Sequence, residues 1–286
     1  MLNHDLLYTI LLFAIAAAVA VAYGIRVLLR GKAQFDRVDR QGGSPLLNKS
    51  VMEGGYWFFQ PLGRLLIACH VTPNQISWGS LAFGVLAGAC LAVGHFGFGA
   101  AFATISAIFD ALDGIVARLT GVQSDAGEVL DATVDRYVEF FFLGGLVIYY
   151  REIPALLLLA LAALVGAFMV SYSTAKAEAL QIEAPKSSMR RPERALYLTL
   201  GATLSPITIP IWEQIREYPV PIGHPMVAAL GLVAVLANVS AIERLWAIAR
   251  TIRLQEARAL EAKRQAATQA LHESESAGDE HPVKIR

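Results

Sequence analysis

The stretch FGAAFATISAIFDALDGIVARLTGVQSDAGEVLDATVDRYVEFFFLGGLVIYY, Phe98 to Tyr150, decides the fold. It contains two apolar runs, Phe98 to Arg118 and Val129 to Tyr150. As helices rising 1.5 Å per residue, each is long enough to cross a hydrocarbon core of roughly 30 Å. Yet Asp110, Asp113, Asp131 and Asp135 fall inside them. A carboxylate inside a bilayer costs at least ~2.5 kcal/mol on insertion scales, so four close together need a cation, a proton or an aqueous cavity.

Spacing assigns the acids to faces. Asp110 and Asp113 are i and i+3, with Gly114 and Ala117 completing the same stripe. Asp131 and Asp135 are i and i+4, with Gly127 one turn earlier. Two adjacent antiparallel helices can therefore point four carboxylates at one another, and the small residues let a backbone or ligand approach closely. Asp110 and Asp113 precede Arg118 by eight and five residues, so the cluster sits near one mouth of the bundle, away from its midplane. No histidine or cysteine lies beside the acids, and an all-oxygen donor set suits Mg²⁺ or Mn²⁺ over zinc or copper. Four carboxylates can hold two such ions, a usual arrangement for in-line displacement at phosphorus.

Outward from this pair, further runs of spanning length occur at Ile76 to Val93, Pro154 to Ala175, Leu196 to Trp212 and Pro225 to Trp246, with one more at Leu6 to Leu29. The basic residues near the first run follow it, which argues against a cleaved signal peptide. The fold expected is all-α: a polytopic membrane helical bundle with a six-helix core and one extra N-terminal span. Between them, Val51 to Cys69 is rich in Tyr, Trp, Phe and Leu and is interrupted by Pro61; it reads as an interfacial juxtamembrane helix ending at Thr72-Pro73-Asn74. The chain divides into an N-terminal transmembrane helix, 1–30; a linker and interfacial amphipathic helix, 31–72; a six-helix catalytic membrane domain, 73–250; and a cytoplasmic tail, 251–286, helical and then disordered.

Lysine and arginine orient the bundle. With the N-terminus outside, 22 of the 24 basic residues fall on the inner side, and only Arg151 and Arg216 on the outer. The protein is expected in a cytoplasmic or inner membrane with the acid cluster facing the cytoplasm. Composition agrees: 55% of 286 residues are hydrophobic, 17% are charged, and 24 bases balance 24 acids. That excludes a disordered chain and gives no basic surplus for nucleic acid. Cys69 and Cys90 are too few for a disulfide scaffold, and His70 and His95, at span ends, read as capping or snorkelling residues. Asp125 reads as a solvated turn residue, and Glu139 as a partner for Arg136.

Read in order, Asp110, Asp113, Gly114, Ala117, Arg118, Gly127, Asp131 and Asp135 give D-x2-D-G-x2-A-R-x8-G-x3-D-x3-D. This resembles the signature of the CDP-alcohol phosphatidyltransferases (CDP-alcohol phosphotransferases), at all eight positions and all gaps. The six spans preceded by a surface helix and a TPN turn are also similar to that family's fold. The resemblance implies that Asp110, Asp113, Asp131 and Asp135 ligate Mg²⁺ or Mn²⁺, with Asp135 also the general base. It implies that Asp110, Gly114, Ala117, Arg118 and Gly127, with Asn74 of the TPN turn, bind the CDP moiety. The reaction implied is attack of an alcohol on the β-phosphate of a CDP-linked substrate, releasing CMP, in a homodimeric membrane enzyme of phospholipid synthesis.

The acceptor is read from the chain after the fourth core span. There Lys176, Lys186, Arg190, Arg191 and Arg194 gather on the inner side, a set suited to a phosphorylated alcohol, although the positive-inside bias alone also places bases there. GEVLDATVDR, the SY of Ser171-Tyr172 and PER at Pro192 to Arg194 resemble phosphatidylinositol-phosphate synthases; Thr174 and Lys176 depart from that group's SYxKARAE pattern. The expected function is transfer of a phosphatidyl group from CDP-diacylglycerol to a polar alcohol such as an inositol or glycerol phosphate, with Ser171, Lys176, Arg191 and Arg194 binding the acceptor. Two alternatives stand beside it: a CDP-alcohol donating its headgroup to diacylglycerol, and an ion transporter using the intramembrane acids.

Overall fold

The computed structural model describes residues 2–31, 49–183, 189–212 and 218–278. Lys32, Arg37, Arg40, Lys186, Arg216, most of the 31–48 linker and the last eight residues of the tail lie outside them. Eight helices form the described chain: α1 (Leu2–Arg30), α2 (Lys49–Ala68), α3 (Pro73–Ala92), α4 (Phe96–Thr120), α5 (Asp125–Tyr149), α6 (Pro154–Ala179), α7 (Arg191–Trp212) and α8 (His224–Gly278).

Local sequence explains where these helices begin. Thr72 caps α3: its hydroxyl accepts from Gln75 N, the Gln75 side chain returns to Thr72 N, and Pro73 occupies the first helical position. The TPN turn is therefore a complete capping box. Ser124 caps α5, accepting from Gly127 N at 3.1 Å, and Asp125 and Glu128 fall in the first turn, where the helix dipole favours acids. Pro61 does not interrupt α2, which runs through it. Likewise α8 continues without a break past residue 250 to Gly278, roughly 80 Å of helix at 1.5 Å per residue.

By length and apolarity, α1, α3, α4, α6 and α8 can each cross a membrane. Helices α5 and α7 are about as long but less apolar, because α5 carries Asp131, Asp135 and Glu139 along its first two thirds and α7 carries Arg191 and Arg194 in its first turn. The protein is an integral membrane helical bundle.

Helix α3 is its centre, packed along both α4 and α5, while those two barely touch each other. The α3–α5 crossing is tight because both helices present glycine. A Cβ on Gly88 would lie 2.2 Å from Phe141 O, and one on Gly145 would lie 2.2 Å from Gly88 O. Such backbone contact is the usual role of small residues in membrane interfaces. Helices α6 and α8 form a second packed pair, with α7 against α8 and α4. One apolar core, including Leu91, Phe96, Leu143, Leu146, Met226 and Leu230, runs through all of them.

Candidate active site

At the end of the bundle where α4 finishes and α5 and α7 begin, three carboxylates converge. Oxygen atoms of Asp110, Asp131 and Asp135 lie within 4.8 Å of one another. Asp113, one turn along α4, is 6% exposed and points at α3, where the Ser77 hydroxyl donates to its Oδ2 at 2.6 Å. It remains an electrostatic neighbour of Asp110 and Asp131. The acids meet because α4 and α5 both pack on α3, and not because the two acid-bearing helices form a seam of their own, as the spacing suggested.

A cation already faces this cluster. Arg191, at the start of α7, places Nη1 3.2 Å from Asp110 Oδ1 and Nη2 2.5 Å from Asp135 Oδ1. The carboxylates thus turn toward positive charge, and their all-oxygen donor set fits a hard divalent ion. Arg191 is the one expected acceptor ligand that the structure brings to the acids.

The other expected residues are placed as follows. Gly114, Ala117 and Arg118 follow Asp113 on α4, half-buried. A Cβ on Gly127 would lie 3.2 Å from the Ser124 hydroxyl and 4.0 Å from Asn74 Oδ1, so the α3 and α5 N-termini meet there. Ser171 is half-buried on α6 and Lys176 is exposed near its end. Among the described residues, neither bonds to the acids. Arg194 is 1% exposed, with Nε and Nη2 donating to the two Glu139 oxygens and Nη1 to Met189 O. Glu139 therefore partners Arg194 and not Arg136, whose guanidinium instead donates to Ala132 O. Asp125 is exposed, but as the first helical residue of α5.

Ser77 and the Glu139–Arg194 pair were not foreseen. Ser77 lies one turn after Pro73, and no periodicity marks one serine on a core face as the partner of an acid 36 residues away.

A family model, CDP-alcohol phosphatidyltransferase, matches residues 70–238, more than half of the chain and all of the acid motif. The chain belongs to the CDP-alcohol phosphatidyltransferase family. Over 158 residues it is 32% identical to the phosphatidylinositol phosphate synthase of Corynebacterium glutamicum, covering 53% of this chain and 71% of that one. Two crystal structures of the Mycobacterium tuberculosis phosphatidylinositol phosphate synthase are similar at 26% identity. One, in complex with manganese and citrate, has a TM-score of 0.58 and covers 66% of this chain and 88% of that one. The other, with CDP-DAG bound, has a TM-score of 0.56 and covers 66% and 92%. This CDP-alcohol phosphatidyltransferase is thus a membrane transferase with an acid cluster that could hold a metal ion, which removes the ion-transporter alternative.

Proposed function

We propose that the enzyme transfers a phosphatidyl group from CDP-diacylglycerol to a hydroxyl of a phosphorylated polar alcohol, of the inositol phosphate kind, and releases CMP. The observation that carries the acceptor class is Arg191. It stands between Asp110 and Asp135, so a phosphate gripped by its guanidinium would bring a neighbouring hydroxyl beside Asp135. The relatives named as phosphatidylinositol phosphate synthases support the same class.

The roles follow from position. Asp135 accepts the proton of the attacking hydroxyl at a carboxylate oxygen. The hydroxyl oxygen forms a bond to the β-phosphorus of CDP-diacylglycerol, the anhydride bond to the α-phosphate breaks, and CMP departs. Held by Asp110, Asp113, Asp131 and Asp135, two Mg²⁺ or Mn²⁺ ions would neutralise the charge gathering on the attacking and leaving oxygens. Gly114, Ala117, Arg118, Gly127 and Asn74 line the α3–α4–α5 end where the CDP moiety binds. Lys176 and Ser171, with Arg191, serve the acceptor, and Arg194 supports them by fixing the start of α7. Basic residues on the inner side argue that this end faces the cytoplasm. The open faces at Gly144 and Gly231, with nothing within 4 Å, support a homodimer.

The deciding experiment incubates the purified enzyme with Mn²⁺, labelled CDP-diacylglycerol and a panel of alcohols: inositol phosphate, glycerol phosphate, inositol, glycerol and serine. CMP release and a labelled phosphorylated lipid with inositol phosphate are expected. No product from any of these, with lipid formed instead from CDP-choline and diacylglycerol, overturns the reading in favour of headgroup transfer.

A further inference from the structure

The family match begins at residue 70, so α1 and α2 lie outside it, and neither supplies an acid to the cluster. Both are nevertheless fitted closely to the motif helix α4. Tyr56 and Gly63, seven residues apart, share a face of α2 that covers the last turns of α4. A Cβ on Gly63 would lie 2.7 Å from Ile115 Cγ2, so the backbone of α2 rests directly on that side chain. Two turns earlier, the ring of Tyr56 lies 5.7 Å from the Cζ of Arg118, within cation–π range.

The neighbouring face of α2 is held by α1. Glu53 and Trp57 are i and i+4. The Tyr23 hydroxyl donates to Glu53 Oε2 at 3.3 Å, the Tyr23 ring stands 5.9 Å from that of Trp57, and Arg26 lies 5.7 Å from the Trp57 ring. Glu53 is 4% exposed, so its carboxylate is closed in against α1. At its other end α1 is anchored to the start of α4 and to α7. Phe98 N donates to Asp5 Oδ1 at 3.1 Å, the rings of Tyr8 and Phe98 are 4.2 Å apart, and the buried Thr9 hydroxyl donates to Thr203 O at 3.0 Å. Helix α1 is thus pinned to α4 at one end and to α2 at the other, and α2 cannot slide along α4 without breaking one set of contacts.

We propose that α1 and α2 form a clamp that sets the Arg118 side chain for the CDP group, with Tyr56 as the positioning residue. This rests on the reading that Arg118 binds CDP. A long, flexible guanidinium loses rotamer freedom when it grips a phosphate or base, and one already laid on an aromatic face has less to lose. The clamp therefore acts on nucleotide affinity and leaves the chemical step alone.

The test uses the full-length enzyme in phosphatidylcholine vesicles, measuring kcat and the KM for CDP-diacylglycerol, with CMP binding by calorimetry as a second readout. Tyr56→Leu is expected to raise the KM and the Kd for CMP about three- to tenfold with kcat within twofold. Tyr56→Phe, which keeps the aromatic face, is expected to rescue that loss. Tyr23→Leu, on α1, is expected to move the KM the same way by a smaller factor. If Tyr56→Leu lowers only kcat or thermal stability, Tyr56 is a packing residue and the proposal fails. Arg118→Gln separates the two layers: an unchanged KM removes Arg118 from the CDP site, whereas a raised KM beside an unaffected Tyr56→Leu leaves that assignment standing and overturns the clamp.

Discussion

Arg194 of α7 and Glu139 of α5 form a bidentate pair, Nε to Oε1 at 2.7 Å and Nη2 to Oε2 at 2.9 Å, with Arg194 buried and the Glu139 side chain largely so, beside the acid cluster. The third donor of the guanidinium holds Met189 O, so the loop entering α7 is tied to α5 immediately before Arg191. The pair makes Arg194 a strut. Arg194→Ala leaves Glu139 as a buried charge without its counter-ion, a loss of about 3–5 kcal/mol. Thermal unfolding in detergent should show a clearly lowered Tm. An unchanged Tm with a raised acceptor KM would instead make Arg194 a substrate ligand.

In the proposed mechanism Asp135 takes the proton of the attacking hydroxyl, and Asn cannot. Asp135→Asn should lower CMP release by a factor of about 10²–10⁴ while leaving the unfolding transition in place. Turnover near the wild-type rate would remove Asp135 from the base role.

Three carboxylates within 4.8 Å of one another could hold a divalent ion, and the proposed mechanism requires one. Stripping with EDTA should abolish CMP release, and Mg²⁺ or Mn²⁺ should restore it. Asp110→Asn should raise the Mn²⁺ concentration for half-maximal activity, and a metal titration of wild type and variant reads the difference directly.

Ser77 acts through Asp113. Its hydroxyl fixes one oxygen of a carboxylate that the family signature assigns to metal. Groups that orient ligands in this way typically change metal affinity 10- to 100-fold when removed. Ser77→Ala should therefore shift the Mn²⁺ titration by roughly tenfold, with most activity recovered at saturating metal. No shift in the titration would mean that Asp113 needs no such support.

Arg191 offers the sharpest test of the acceptor. Arg191→Lys keeps the charge but loses the planar fork, so the KM for inositol phosphate should rise by about 10-fold or more, while an unphosphorylated alcohol, if used at all, should be unaffected. Equal effects on both kinds of acceptor would tie Arg191 to the carboxylates alone.

Much of this was readable in the sequence because membrane burial writes itself in long apolar runs, and acids inside such runs are expensive enough to be conspicuous. The helices carrying Asp110 to Asp135 follow from that contrast, and the turn at Thr72-Pro73-Asn74 marks where α3 starts. The pairing of Glu139 with Arg194 did not, since 55 residues separate partners that local periodicity cannot connect. Nor did the helical path through Pro61, which neighbour packing decides. The separation of α4 from α5 was also hidden: the glycines at 88 and 145 are visible, but which helix each meets is a matter of tertiary arrangement.

That separation gives α3 an unusual burden. It contributes no acid, yet both acid-bearing helices pack on it, and the Gly88–Gly145 contact sets how closely α5 approaches it. Widening that contact by a single methyl group would pull one jaw of the cluster outward and spoil its bite on any cation, with every ligand intact. The geometry of the acid cluster is stored in a helix that brings no carboxylate to it.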